Sequence, residues 1–144
     1  MNVGGRSRSA SVRVSTSRVN TTPAADHIGN NEQVSKAGRT VNGNQAAIVA
    51  HENANERMIQ RNVPDAQRPY NTYFEEKRDF PFNNEPIMLY HDASANDDTD
   101  TVVMFRRSDV IATGDIFSTV SYPVVDVANG GSVEGIINGQ PRAR

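Results

Sequence analysis

One stretch, NDDTDTVVMFRRSDVIATGDIFSTVSYPVVD at residues 96–126, constrains the fold more than any other part of the chain. Two short apolar runs, 101–105 and 110–113, flank the polar tip Arg106-Arg107-Ser108-Asp109. Apolar, β-branched runs on either side of a short polar tip predict a β-hairpin. The second run ends in Gly114-Asp115. An acidic residue directly after a glycine at the end of a buried strand is held in place and can point into a cleft. Strand ends are where α/β folds carry their chemistry.

The other segments supply the layers around that hairpin. Residues 1–18 are rich in Arg, Ser and Gly. Partial alternation through Val12 and Val14 over residues 9–19 suits a poorly ordered arm or a weak edge strand. A nucleic-acid-binding arm would interleave aromatics with the arginines, and none is present. Residues 20–31 read as a loop holding Pro23, the adjacent pair Asp26-His27, and Gly29. A helix is predicted over 31–37, capped by Asn30 or Asn31 and stopped by Gly38. A turn at Asn42-Gly43 leads to a buried strand at 46–50. His51 follows, then a helix over 52–61 with Ala54 and Met58 inward, acids early and arginines late. Residues 62–72, with Pro64 and Pro69, read as loop, and 73–82 as a mixed strand entering a turn at Asn83-Asn84. A buried strand at 87–90 ends at His91. After the hairpin, 122–127 is apolar, Gly130-Gly131 breaks the chain, and Ser132 caps a helix from Val133 that Pro141 ends. The order β-loop-α-β-α-β-β-β-β-α predicts a layered α/β sheet.

Composition narrows the class. The 144 residues suit one domain, divided here into an arm at 1–18 and a folded unit at 19–144. Hydrophobic residues make up 36%, which predicts a thin core. A net charge of −2 gives no global field towards nucleic acid or anionic lipid. The absence of Cys excludes disulfides and thiolate metal sites. No apolar run approaches the ~20 residues of a membrane span, and the N-terminus has no apolar core of a signal peptide. A soluble protein of undetermined compartment is expected.

Three polar loops border apolar strands: 22–27, 91–100 and 114–115. Converging at one sheet edge, they would bring together Asp26, His27 and Asp115. One imidazole and two carboxylates suit Zn²⁺, Mn²⁺ or Fe²⁺. The competing reading is a hydrogen-bonded surface histidine beside ordinary acids. Asp92, Asp97, Asp98 and Asp100 read as a solvated acidic loop, without the regular spacing and bidentate Glu of a calcium loop. No phosphate-binding glycine loop and no nucleophile elbow occurs, and Glu75-Glu76 reads as a solvated face.

Taken together, several blocks resemble a bacterial branch of the metallo-β-lactamase superfamily. NTTPAADHIGNNE at 20–32 resembles that family's metal-binding loop, N-T-H-x-H-x-D-H-x-G-G-N-E. KAGRTVNGN at 36–44 and AIVAHENANERM at 47–58 resemble the helix, turn, strand and helix that follow it. Residues 93–101 are similar to the loop A-A-H-T-D-G-D-S, and 105–131 match closely, including the Gly-Asp of a bridging aspartate. The likeness covers roughly residues 19–139. It implies part of an αββα sandwich, a mixed sheet with flanking helices that lacks the C-terminal portion.

The implied ligands are present only in part. The family's first zinc takes His at the positions of Thr22, Ala24 and Asn96. The second takes the equivalents of Asp26, His27 and the bridging Asp115, with a late His in a segment this chain lacks. The family activity is zinc-assisted hydrolysis of a small molecule, with Asp26 also a candidate catalytic residue. Three readings follow. The activity is lost or much weakened in a truncated pseudoenzyme; or a single zinc persists at Asp26, His27 and Asp115; or the chain is a binding module or fragment. Uncovered sheet or helix faces would favour self-association.

Overall fold

In a computed structural model, which describes residues 17–42 and 46–139, the chain forms two sheets. Strands β1 (Ser17–Val19), β2 (Ala47–His51) and β3 (Asn71–Tyr73) make a three-stranded parallel sheet. Strands β4 (Lys77–Asp79), β5 (Ile87–Asp92), β6 (Asp100–Phe105) and β7 (Val110–Ala112) make a four-stranded antiparallel sheet in chain order. Helices α1 (Ala25–Ile28) and α2 (Asn31–Asn42) follow β1, and α3 (Glu52–Gln60) follows β2. Helix α4 (Val133–Gly139) comes last. The mixed α/β fold is as expected; the order of elements alone reads as one layered sheet, and the strands form the two β layers that the resemblance to an αββα sandwich implies.

The period-two alternation of strands decides what faces what. Val49 of β2 meets Ile87 and Leu89 of β5 and Val103 of β6, with Tyr73 of β3, in a core between the sheets. Phe80, Phe82, Phe105 and Val19 flank it. Ile48 and Ala50, on the other face of β2, lie fully buried towards α2 and α3. On the far side of the antiparallel sheet, Val102 packs with Ala95, Ile116 and Ile136 of α4. The layers therefore run helices, sheet, sheet, helix. The low apolar content is spent on two small cores rather than one.

The hairpin forms as predicted, β6 pairing with β7 with Phe105 opposite Val110. Asp109 at its tip has a positive φ of 53°, which an Asp tolerates in a turn. Ser132 caps α4 as expected, its hydroxyl accepting from Gly135 N–H at 2.8 Å.

Other boundaries moved. Helix α2 does not stop at Gly38 but continues to Asn42. A Cβ on Gly38 would lie 2.3 Å from the Ala46 nitrogen, so this glycine serves a close crossing rather than a stop. The turn expected at Asn42-Gly43 runs into residues outside those described, as does most of the 1–18 arm and the end of α4 at Pro141. Residues 62–72 are not all loop, since β3 begins at Asn71 and a 3₁₀ turn spans Asp65–Gln67. Residues 73–82 split between two strands in different sheets. The apolar run 122–127 is irregular, with Tyr122, Val124 and Val127 exposed and Val125 half-buried against the Val102–Ile116 core.

The first turn of α4 lies against the backbone of residues 94–96. Ser132 N–H and its hydroxyl both donate to the Ser94 carbonyl, at 2.8 and 3.0 Å. A Cβ on Gly135 would sit 1.9 Å from that same oxygen. Helix propensity alone would make Gly135→Ala stabilising by about 1 kcal/mol. The contact reverses the sign: Gly135→Ala is expected to destabilise by at least about 1–3 kcal/mol in urea unfolding, with α4 displaced.

Candidate functional site

The parallel strand β1 delivers the chain into 20–27, and buried amides fix its path. Asn20 N–H donates to the Val49 carbonyl at 2.9 Å. The Asn20 and Asn31 side chains exchange two hydrogen bonds, at 2.8 and 3.1 Å. Asn31 also donates to the Gln67 carbonyl at 2.6 Å, and Asn20 donates to the His27 carbonyl at 3.1 Å. The Arg18 guanidinium donates to that carbonyl as well. Asn31 thus ties loops together instead of capping α2. Ile28, 4% exposed, anchors the short helix α1 on which Asp26 and His27 ride. That helix lies where the sequence predicted only loop.

His27 and Asp115 meet. His27 Nε2 lies 3.2 Å from Asp115 Oδ1 and 3.7 Å from Asp26 Oδ2. Its Nδ1 is 3.0 Å from the Thr21 hydroxyl. Asp115 occupies a 3₁₀ turn, Gly114–Ile116, whose Ile116 is buried in the core under α4. Gly114 has φ +59°, and a Cβ there would lie 2.9 Å from Thr21 Oγ1. Glycine is therefore required twice over, for its conformation and for the approach of Thr21. Asp26 is further out, its side chain 82% exposed.

The three positions where the resembled family has histidine hold no zinc donor set. The Thr22 hydroxyl is buried and accepts from Ala24 N–H at 3.0 Å. Ala24 has no donor atom. Asn96 donates its amide to the Val124 carbonyl at 2.8 Å. Among the described residues, no group of three or more His, Asp or Glu side chains is placed to hold one metal ion. A two-zinc centre does not fit these residues. His27 and Asp115 are spaced as neighbouring ligands of one ion would be, without a third group drawn in beside them.

The acidic loop is not solvated. Asp92, Asp97 and Asp100 are 9%, 6% and 1% exposed. Each carboxylate captures a backbone N–H. Asp97 accepts from Thr99 at 2.7 Å, Asp100 from Asp97 at 2.9 Å and Asp92 from Ser94 at 3.3 Å. Local capture of this kind replaces water and permits burial. Asp98 pairs with Arg57 of α3. Asp100 Oδ1 has no partner. Burial pushes the Asp100 carboxyl up to about 7, and the neighbouring Asp97 and Asp115 charges add to the shift. The N–H groups of Asp97 and Asn96 oppose it.

A pocket of about 470 Å³ opens beside Asp115, lined by Asn96, Phe117, Ser121, Tyr122 and Val124. His91 does not reach it. Its ring faces the space between the sheets, and Nε2 donates to the Asp98 carbonyl at 2.9 Å. Sequence reasoning missed Thr21, Asn20, Asn31 and Arg18 as the frame of His27. The only available signal was the pair of asparagines retained at both ends of the loop block.

No protein-family model matches this sequence, and no curated protein matches it. Solved structures do. A metallo-β-lactamase from Pontibacter korlensis aligns at TM-score 0.68 and 13% identity, covering 88% of this chain and 54% of that one. A metallo-β-lactamase from Hirschia baltica aligns at TM-score 0.66 and 15% identity, covering 89% and 55%. The chain has the metallo-β-lactamase fold over the part it contains, and it spans about half the length of the solved structures it matches.

Asp100 sets a pH dependence of stability. Its folded pKa is raised from 3.8 to about 7, so between those values the folded state binds the extra proton. The stability is fully present below pH 3.8 and is lost as pH rises through 7. Asp100→Asn has no proton to lose. In urea unfolding it is expected to exceed the parent at pH 8 by up to about 4 kcal/mol, with the difference closing towards pH 4.

Proposed function

We propose that this chain is a metallo-β-lactamase-fold protein in which zinc-dependent hydrolysis is lost or much weakened. One observation carries the reading: at positions 22, 24 and 96 the side chains are spent on internal bonds or lack a donor atom. Thr22 Oγ1 accepts from Ala24 N–H, and Asn96 Nδ2 donates to Val124 O. A hydroxyl and an amide committed in this way do not replace imidazoles as zinc ligands. The pocket beside Asp115, lined by both apolar and polar side chains, then acts as a binding cleft for a small molecule, without a metal to activate water.

A second reading rests on the 3.2 Å between His27 Nε2 and Asp115 Oδ1. Two donors so spaced, with Asp26 rotated inward, would form a single weak zinc site.

The two readings separate in one experiment. Purified protein is equilibrated with micromolar zinc, its bound metal is measured, and hydrolysis of a chromogenic β-lactam and a chromogenic phosphodiester is followed. The first reading expects zinc far below one per chain and no hydrolysis above buffer. Stoichiometric zinc that disappears in Asp115→Ala would overturn it in favour of the single-metal site.

A further inference from the structure

The two sheets touch through more than their apolar core. At the end of β2, His51 lies 3% exposed, and at the end of β5 His91 lies 7% exposed. Their rings are parallel within 5°, with centroids 3.5 Å apart. Tyr73 of β3 closes the stack edge-on, 5.1 Å from His51 at 82°. Its hydroxyl is 2.8 Å from Thr101 Oγ1 of β6. One imidazole therefore comes from each sheet, and the aromatic beside them is hydrogen-bonded across the same gap.

Hydrogen bonds fix the protons on both rings. His51 is the N-cap of α3, and its Nδ1 accepts from Asn53 N–H at 3.3 Å. Nδ1 therefore carries a lone pair, and Nε2 carries the proton. That buried Nε2 makes no well-formed hydrogen bond, although the Phe74 backbone carbonyl beside the ring favours its charged form. His91 donates from Nε2 to the Asp98 carbonyl at 2.9 Å. That carbonyl also accepts from Asn53 Nδ2 at 2.9 Å, while Arg57 of α3 pairs with the Asp98 carboxylate. Asp98 N–H donates to the Asn129 carbonyl at 3.1 Å. The imidazole stack, the start of α3 and the 96–100 loop thus form one hydrogen-bonded unit, and that loop carries Asn96 on the pocket wall.

We propose that the His51–His91 stack is an acid-sensitive latch: neutral, it ties the two sheets to α3 and the 96–100 loop, and protonation of His51 releases them. Protonation at Nδ1 removes the acceptor for Asn53 N–H, so α3 loses its cap. It also places a cation face to face with a second imidazole in a buried site. The titratable and charged groups around the pair are Tyr73 and Glu75 on the β3 side and the Arg57–Asp98 ion pair on the α3 side. Glu75 favours the charged ring but is exposed. Burial, with His91 adding, lowers His51 from 6.5 to about 4. The sign follows: the latch's stability is present above pH 6.5 and is lost as pH falls through about 4. This is the opposite slope to that of Asp100.

Hydrogen exchange of the whole chain tests the latch, with protection of the Asn53 amide corrected for intrinsic rate at about pH 7 and about pH 4. The parent is expected to lose roughly tenfold or more in protection. In His51→Asn, the side-chain oxygen still accepts from Asn53 N–H and takes up no proton, so protection should change less than about twofold. Equal loss in parent and variant, or no loss in the parent, overturns the latch. NMR titration of the two imidazoles in the parent needs no variant. A His51 midpoint near the ordinary value of 6.5 likewise overturns it.

Discussion

Everything in this molecule depends on two small sheets lying face to face. The contact is set by alternate residues of β2, β5 and β6. Val49, Leu89 and Val103 supply the apolar part, and His51, His91 and Thr101 continue the same faces towards one edge. A one-residue slip in β5 would exchange Leu89 for Tyr90 or Met88 and bury the wrong face. The edge where the apolar residues give way to polar ones is where β1 and β5 end, β6 begins and the 27–115 pair lies. The site is a consequence of where the core stops.

That edge is unusually rich in buried polar groups for so small a chain. Burial of Asn20, Asn31, Asp97 and Asp100 is permitted because each captures a nearby N–H or amide. The exceptions are informative. Among the described residues Asp100 Oδ1, His51 Nε2 and Arg57 Nη1 lack partners, and burial shifts the proton affinity of Asp100 and His51 away from its ordinary value. One shift lowers stability as pH rises and the other as pH falls, so between about pH 4 and 6.5 the two slopes oppose each other. Thr22 and Asn96 lie at the same edge, where Thr22 closes a turn by accepting from Ala24 N–H and Asn96 anchors its loop by donating to the Val124 carbonyl. Structural likeness at 13–15% identity speaks to the fold and not to the reaction.

Much of the scaffold was legible. The apolar runs around Arg106–Asp109 formed the hairpin, Ser132 capped α4, and the charge order of 52–61 marked α3. His27 lies between the two acids, its Nε2 3.2 Å from Asp115 Oδ1 and 3.7 Å from Asp26 Oδ2. The misses share a cause. Gly38 reads as a helix stop unless Ala46 is known to cross it. Asp92, Asp97 and Asp100 read as solvated until their own backbone is seen to satisfy them. His51 and His91 are forty residues apart in sequence, and nothing local foretells that they stack.

By itself, the sequence determined the local elements and the identity of the groups available to the site, because hydrophobic period, caps and turns act over a few residues. It also determined that imidazoles are absent at 22, 24 and 96. Tertiary structure decided the division into two sheets, the burial of the acidic loop, and which partner each polar group holds. Those outcomes depend on contacts between residues distant in the chain, where desolvation and close approach outweigh any local preference.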